Sequence, residues 1–369
     1  MRSTIYIYEM DCRVDWKMKR NFVFSLVSLV AFAGHILVAD DESLEGILDT
    51  REPWSLNIYF ENDLFSSTDQ QYTNGAKVSW VSPDVSDFVN TNFPLLTEYI
   101  DREVDFLSNN YHAKNLAFSI GQNMYTPEDI ESSELVEDDR PYAAWLYMSA
   151  GFHAKNDQIQ DTLAIQLGVV GPAALGKETQ DLVHDLRGFR RANGWHNQIG
   201  NEPGFNLVVE RRIRFEADNT GLGWEADAIG SGGFVLGNVS TYLNTGIEGR
   251  IGYNLPQDFG TTHIRPGGET NIPFLDDRYI GIKHEQDFGF LLFASVEGRA
   301  IAQDIFLDGN TFIDSHSVDK EPMVADIAMG VKFKIHSFKV SYSLVRRSKQ
   351  FDMQPDSHTF GSMMVSLTY

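Results

Sequence analysis

Short segments in which apolar and polar side chains alternate constrain this chain more than any other feature. Their period of two is typical of β-strands with one apolar face. A tilted strand of about ten residues crosses a bilayer, and an even number of strands closes a single-chain barrel. The alternating segments are residues 54–62, 72–82, 113–124, 142–153, 159–170, 203–216, 221–235, 239–253, 286–302, 323–336, 338–347 and 359–369. The pattern predicts an all-β fold, a 12-stranded antiparallel transmembrane β-barrel.

The last segment supports the same fold. Met363, Val365, Leu367 and Tyr369 share one face, and the chain ends on an aromatic side chain. This ending is similar to the closing strand of outer-membrane barrels. A soluble all-β protein that ends this way by chance is the alternative.

The connections between segments differ in length. Barrels of this kind have long extracellular loops and short periplasmic turns. Residues 154–158 and 337 are therefore expected to be periplasmic turns. The longer connections, which we expect on the extracellular side, are residues 83–112, 127–140, 173–202, 255–285 and 304–320.

The beginning of the chain predicts a secretory signal. An apolar run at residues 22–33 follows Lys19 and Arg20 and is too short to span a bilayer as a helix. Translation is expected to start at Met18, and cleavage to follow Ala33 or Ala39. The predicted organisation is an upstream extension and signal peptide at residues 1–39, a lead-in at 40–53, and a barrel at 54–369.

Composition excludes several classes of function. The formal net charge of -22 argues against nucleic acid as a partner, which needs a basic surface. The only cysteine, Cys12, lies upstream of the expected mature start, so disulfides, thiolate metal sites and cysteine nucleophiles are excluded there. The mean hydropathy of -0.26 would suit a soluble protein, but the polar lumen of a barrel gives the same value.

The first predicted hairpin combines two alternating strands with a polar tip. Asn62 continues the apolar face of the first strand, whereas Asp63 continues the face expected to line the lumen. The tip is rich in oxygen ligands for hard cations, although the same residue types favour turns. These residues are Asn62, Asp63, Thr68, Asp69, Tyr72, Thr73, Asn74 and Gly75.

One segment departs from the strand pattern. Residues 174–187 place Leu175, Leu182, Val183 and Leu186 near one helical face and end before Gly188, which predicts a helix. Between membrane strands, such a helix must lie in an extracellular loop or in the lumen. It carries His184, with Gln180 and Asp181 near enough along the helix to orient the imidazole. A packing role is the alternative for a lone histidine.

Several short motifs in order resemble the lipid A 3'-O-deacylase family of Gram-negative outer membranes. The resemblance runs from about Trp54 to Pro203. Downstream of Pro203 it is limited to the barrel pattern. Its motifs are residues 61–63 (END), 72–75 (YTNG), 122–127 (QNMYTP), 139–145 (DRPYAAW), 168–172 (GVVGP), His184 and Gly194-Trp195.

The resemblance implies an outer-membrane hydrolase that removes the 3'-linked acyloxyacyl group from lipid A of lipopolysaccharide. His184 would be the general base, because imidazole can accept a proton from water near neutral pH. Calcium would be the cofactor, with Asp63 and Asn62 as ligands and Thr73 completing the catalytic set. A monomer is expected.

Two positions depart from the family. Its members carry a glutamate six residues after the histidine, where this chain has Arg190, and a lysine in the region of residues 130–133, which here read Ile-Glu-Ser-Ser. Glu202, Asp185 and Glu178 are the candidates for the missing carboxylate. An outer-membrane phospholipase and a catalytically silent barrel with a structural or pore role are the alternative functions.

Overall fold

The computed structural model describes most of the predicted barrel. The predicted signal region and lead-in, residues 1–53, lie outside the described residues. So does most of the β1–β2 tip, including Thr68 and Asp69. The described residues are 54–63, 71–85, 111, 113–216, 224–261, 263–265 and 288–369.

Twelve antiparallel strands form a closed barrel in which each strand pairs with the next and the first pairs with the last. The predicted fold is confirmed, because every alternating segment coincides with one strand. The strands are β1 Ser55–Asn62, β2 Gln71–Val81, β3 Ala113–Thr126, β4 Ala143–Lys155, β5 Ile159–Val170, β6 Glu202–Glu216, β7 Trp224–Gly237, β8 Ser240–Tyr253, β9 Phe288–Asp304, β10 Met323–Ile335, β11 Phe338–Arg347 and β12 His358–Thr368. The described residues also form the helices α1, Gly176–Arg187, and α2, Ile305–Asp308.

Side-chain exposure follows the alternation. In β1, Ile58 is exposed on the outer wall, whereas Asn57 and Tyr59 are buried towards the lumen. The other strands place Phe118, Ile120, Met148 and Leu167 outside in the same way, and their exposed side chains form an apolar belt. Among the described residues, no helix combines the length and hydrophobicity needed to cross a membrane.

The prediction that all long connections lie on one side is wrong. The start of β1 and the end of β12 lie at one end of the barrel, where Trp54 N donates to Tyr369 O at 2.8 Å. Because consecutive strands alternate in direction, the β2–β3 and β8–β9 connections return to that end, together with the short turns at 154–158 and 337. Strand parity fixes the side of a connection, whereas the length rule is only a tendency.

Part of the β8–β9 connection fills the lumen instead of forming a surface loop. We call residues 254–261 and 263–265 the lumenal strap. Asp258 on the strap forms salt bridges with the lumenal side chains of Arg250 and Lys332. Further along, the Ile264 amide donates to Glu61 Oε1 at 2.6 Å. Pairing of opposite charges compensates for the cost of removing them from water.

The end of the lumen opposite Trp54 and Tyr369 is closed by an apolar cluster. Ile305 and Phe306 of α2 pack against Trp145, Tyr147 and neighbouring side chains. A cavity of about 70 Å³ remains between this cluster and the strap, with Arg265 in its lining. The described lumen is therefore a packed interior.

Asp258→Ala should destabilise the barrel, because it leaves the charges of Arg250 and Lys332 buried without their shared carboxylate. Breaking a buried ion pair from one side typically costs about 3–5 kcal/mol of the free energy of unfolding. Urea unfolding in detergent, followed by the heat-modifiable shift on gels, measures this loss. The control is Asp356→Ala on the exposed β11–β12 connection, which should stay within about 0.5 kcal/mol of wild type. Equal midpoints for both variants would contradict a stabilising role for the strap.

Candidate active site

The end of the first hairpin brings two predicted site residues together. Asn62 Nδ2 donates to the backbone carbonyl of Thr73 at 3.0 Å. A β-bulge at Thr73 interrupts the register between β2 and β3, and the Thr73 hydroxyl lies 2.7 Å from that of Thr126. Asp63 follows Asn62 directly and is fully buried. The bulge thus directs the Thr73 hydroxyl towards β3, while the Thr73 backbone carbonyl holds Asn62.

The alternation of β1 continues to the rim, as the sequence predicts. Glu61 faces the lumen, where it contacts the strap, and Asn62 continues the outward face of Ile58. Asn62 pairs with Asn74 of β2, and the two are only 5% and 6% exposed. Polar side chains are therefore buried on the outer wall, above the apolar belt.

Helix α1 is shorter than predicted. A 3₁₀ turn at Pro172–Ala174 precedes it, and Leu175 between them has a left-handed backbone with φ 60°. The predicted end is confirmed, because Gly188 has φ 72° and its amide donates to the carbonyls of Asp185 and His184. Glycine adopts this conformation without the steric cost of a Cβ atom.

The helix packs on the outer wall of the barrel, at the rim. Gln122 and Ala144 point outward from β3 and β4, and Gln122 Nε2 donates to Ala174 O at 2.6 Å. A Cβ atom at Gly176 would lie 2.5 Å from the Ala144 Cβ and 2.7 Å from the Trp195 ring. Close packing against the wall thus requires glycine at this position.

The buried face of α1 is polar. It consists of Gly176, Gln180, Asp181 and His184, and Trp195 Nε1 donates to Gln180 Oε1 at 2.6 Å. Most of the predicted apolar face is instead exposed, because Leu175 precedes the helix and Leu182 and Leu186 point away from the wall, whereas Val183 is half-buried. The sequence reading missed the role of Trp195 in holding the helix, although the Gly194-Trp195 motif was a signal for it.

His184 is held in one orientation against the barrel. It is 4% exposed, and its Nδ1 lies 2.5 Å from the carbonyl oxygen of Arg190. A carbonyl only accepts, so Nδ1 carries the proton and Nε2 carries the lone pair of the neutral ring. Gln180, which was predicted to orient the imidazole, binds Trp195, and Asp181 pairs with Lys177. The backbone carbonyl of Arg190 is the group that orients the His184 ring.

The hairpin and the helix share one outward surface. Asn62, Asn74, Met124 and Ala144 follow one another across β1 to β4 as consecutive pairs. Adjacent strands lie about 4.8 Å apart, so Asn62 is about 10–15 Å along the wall from the strands that support α1. The structure therefore places the predicted base and Asn62 on neighbouring parts of the same rim.

The two departures from the family contact each other. Arg190 Nη1 lies 2.9 Å from Glu131 Oε1, so the position expected to be acidic is basic and the region expected to hold a lysine supplies an acid. Both side chains are exposed, and an isolated pair of this kind contributes at most about 1 kcal/mol to stability. A pair of opposite charges therefore joins these two positions in this chain.

The three carboxylates that the sequence offered as substitutes for the family glutamate, Glu202, Asp185 and Glu178, do not contact Arg190. Glu202 faces the lumen, where it accepts hydrogen bonds from Asn238 and Asn310. Asp185 is exposed and receives two hydrogen bonds from Arg191, which lower the pKa of its carboxyl. Glu178 is exposed in the first turn of α1. Glu131 is thus the carboxylate that contacts Arg190.

The oxygen ligands at the hairpin fit a hard cation. Asp63 offers a carboxylate, Asn62 an amide oxygen and Thr73 a hydroxyl, which are ligand types that calcium accepts. Within the described ranges, no group of three or more His, Cys, Asp or Glu side chains could hold a metal ion. A cation at the hairpin would therefore need amide, hydroxyl or backbone oxygens beside the carboxylate.

Comparison with known proteins decides the family. The family model for outer membrane protein LpxR matches residues 22–369. This chain belongs to the LpxR family. It is an integral outer-membrane barrel, in agreement with the predicted fold and location. A comparison with curated protein sequences finds no match.

A solved structure of an LpxR protein shares this fold. LpxR from Salmonella typhimurium matches with 21% identity and a TM-score of 0.64, over 85% of this chain and 99% of the other. The translocator domain of NalP from Neisseria meningitidis has 7% identity and a TM-score of 0.38, over 94% and 98% of the two chains. The β-domain of the Bordetella autotransporter BrkA has 9% identity and a TM-score of 0.36, over 86% and 98%. Those last two likenesses are too distant to say more about this chain.

Gly176→Val should loosen α1 from the wall while leaving the barrel closed. The added side chain would collide with Ala144 and Trp195, and overpacking typically costs about 1–3 kcal/mol. We expect trypsin cleavage next to Arg187 to accelerate by about tenfold or more, measured in detergent by mass spectrometry.

Glu178→Val is the matched control for Gly176→Val. It adds the same β-branched residue to the exposed face of α1, so its cleavage rate should stay near that of wild type. A normal cleavage rate for Gly176→Val would mean that close packing at this glycine does not hold the helix.

Proposed function

We propose that this LpxR-family chain is a calcium-dependent hydrolase that removes the 3'-linked acyloxyacyl group from lipid A in the outer leaflet. The observation that carries the proposal is the orientation of His184. A buried imidazole is fixed by a backbone carbonyl on the outer wall, on the same rim as Asn62, Asp63 and Thr73. A site in this place would meet a lipid that lies outside the barrel.

The chemistry needs one base and no covalent intermediate. Nε2 of His184 accepts a proton from water while the water oxygen bonds to the ester carbonyl carbon. The tetrahedral oxyanion then collapses, and the bond between the carbonyl carbon and the sugar oxygen breaks. The imidazolium returns its proton to the sugar alkoxide. One water is consumed, and the products are a free acyloxyacyl acid and a sugar hydroxyl.

Residues of the hairpin would bind and orient the ester. We assign the Asp63 carboxylate and the amide oxygen of Asn62 as calcium ligands, because the Asn62 amide nitrogen donates to Thr73. When bound, calcium would supply positive charge for the developing oxyanion. The Thr73 hydroxyl, next to that of Thr126, would hold the acyl ester in place.

The site chemistry alone would also allow phospholipid hydrolysis. Lipid A and phospholipid esters differ in the group that carries the acyl chain and not in the bond that breaks. Mass spectrometry of lipid A and thin-layer analysis of phospholipids, from cells with and without the protein, separate the two reactions. Loss of the 3' acyloxyacyl group supports the proposal, whereas lysophospholipid release favours the phospholipase. No change in either lipid class would favour a silent barrel.

His184→Asn should lower the rate of 3' acyl release by about 10²- to 10⁴-fold, the usual contribution of a general base. Asparagine keeps a hydrogen-bonding side chain but cannot take a proton near neutral pH. The rate is measured by mass spectrometry of released acid, and heat-modifiability confirms that the barrel is folded. Glu178→Gln on the exposed flank of the same helix is the control and should keep the wild-type rate. A wild-type rate for His184→Asn would eliminate this base.

Removal of calcium should abolish activity, and added calcium should restore it. Asp63→Ala should lose most of that rescue, since the variant removes the carboxylate from an otherwise neutral set of oxygen ligands. Isothermal titration with calcium alone separates binding from turnover. His184→Asn is the matched comparison and should still bind calcium. Undiminished turnover in excess chelator would contradict the metal assignment.

A further inference from the structure

The exposed side of α1 carries two leucines, with Glu178 and Asp185 beside them, although the buried face is polar. Leu182 and Leu186 are 60% and 78% exposed, and Leu175, which precedes the helix, is also exposed. At 100° per residue the two helical leucines lie opposite His184. This reverses the usual arrangement, in which an amphipathic helix turns its apolar stripe towards the protein. We call Leu175, Leu182 and Leu186 the leucine stripe.

The leucine stripe adjoins the apolar belt of the barrel. Ile120, Met148 and Leu167 are consecutive outward partners in β3, β4 and β5, and all three are exposed. The next outward row towards the rim, about 7 Å away, contains Gln122 and Leu146. Gln122 binds the turn that starts the helix, so α1 begins one row above side chains that face lipid.

The surroundings of the stripe suit the boundary between headgroups and acyl chains. Lys177 and Arg187 are exposed at the two ends of the helix, and Arg190 and Arg191 follow it. Helices that lie in a membrane interface combine an apolar face with basic residues near the phosphates. Three leucine side chains are far fewer than the 20–30 residues per partner of a specific protein interface. A lipid surface therefore fits the stripe better than a second copy of the chain.

We propose that the leucine stripe inserts among the acyl chains of the outer leaflet and holds α1 at the level where acyl esters lie. Because His184 is on the opposite face of the same helix, insertion fixes the depth of its imidazole relative to the membrane. This consequence for catalysis rests on the proposed function. The proposed location of the stripe in lipid is independent of that function.

Site-directed spin labelling tests the location directly. In a Cys12→Ser background, which removes the only cysteine of the chain, Leu182→Cys and Leu186→Cys receive a nitroxide label. The proteins are reconstituted in vesicles of phosphatidylethanolamine and phosphatidylglycerol. Collision with oxygen reports lipid, and collision with a water-soluble nickel chelate reports water. Met148→Cys in the belt is the lipid control, and Asp356→Cys on an exposed loop is the water control.

We expect labels at 182 and 186 to resemble Met148→Cys, with oxygen collisions exceeding nickel collisions. Nickel accessibility equal to that of Asp356→Cys would overturn the proposal, because the stripe would then lie in water. Low accessibility to both reagents together with spin–spin broadening would also overturn it, since a second copy of the chain would then cover the stripe.

An activity comparison tests the consequence for catalysis. Leu182→Ser/Leu186→Ser should raise the KM for lipopolysaccharide in vesicles by about tenfold or more, because the transfer of apolar surface into lipid is lost. The kcat for lipid A dispersed in detergent should not change. Leu182→Met/Leu186→Met keeps apolar side chains and should behave as wild type. If the wild-type chain hydrolyses neither substrate, the proposed function fails while the labelling result stands. Equal KM values for the serine variant and wild type would contradict the role of the stripe.

Discussion

Closure of the barrel through the pairing of β1 with β12 is the constraint on which the rest of the structure depends. A membrane sheet with a free edge would leave backbone groups unpaired in hydrocarbon, so the first and last strands must meet. The register joins Ser55 to Thr368 and ends with Asn62 opposite Gly361. Asn62 thus belongs to the last rung of the closing seam. The barrel that spans the membrane also fixes the residue at which the candidate site begins.

A filled lumen accounts for the location of the site on the outer wall. The strap enters from the end at which β1 starts, and α2 with its apolar neighbours closes the other end. A bulky two-tailed lipid could not enter this interior through the described wall. Asn62 and His184 lie instead on the outer wall at the rim, where contacts with the backbone of Thr73 and Arg190 hold them. Contacts of this kind depend on the fold more than on the identity of the residue that supplies the carbonyl.

Arg190 shows that a backbone contact does not depend on which side chain the residue carries. A side chain at this position can change its charge without disturbing His184, because the orienting bond comes from the backbone carbonyl. The Arg190 side chain turns instead to Glu131 on the β3–β4 connection. The sequence shows the two departures as separate losses, 59 positions apart in the chain. Their contact exists only after β3, β4 and α1 have assembled.

The sequence by itself determined the twelve strands, the faces they expose and the end of α1 at Gly188. These features follow from local rules, namely the period of two and glycine at a helix end. The residues of the candidate site were named from the family resemblance and stay a prediction. Only the tertiary structure decided which face of α1 is buried, which end each long connection joins and that the lumenal strap fills the lumen. Those outcomes depend on partners distant in sequence, since Ala144 and Trp195 select the polar face of α1 and Glu61 receives Ile264 across the lumen. A hydrophobic pattern predicts that burial of Leu182 and Leu186 is favourable, but it does not predict whether protein or lipid covers them.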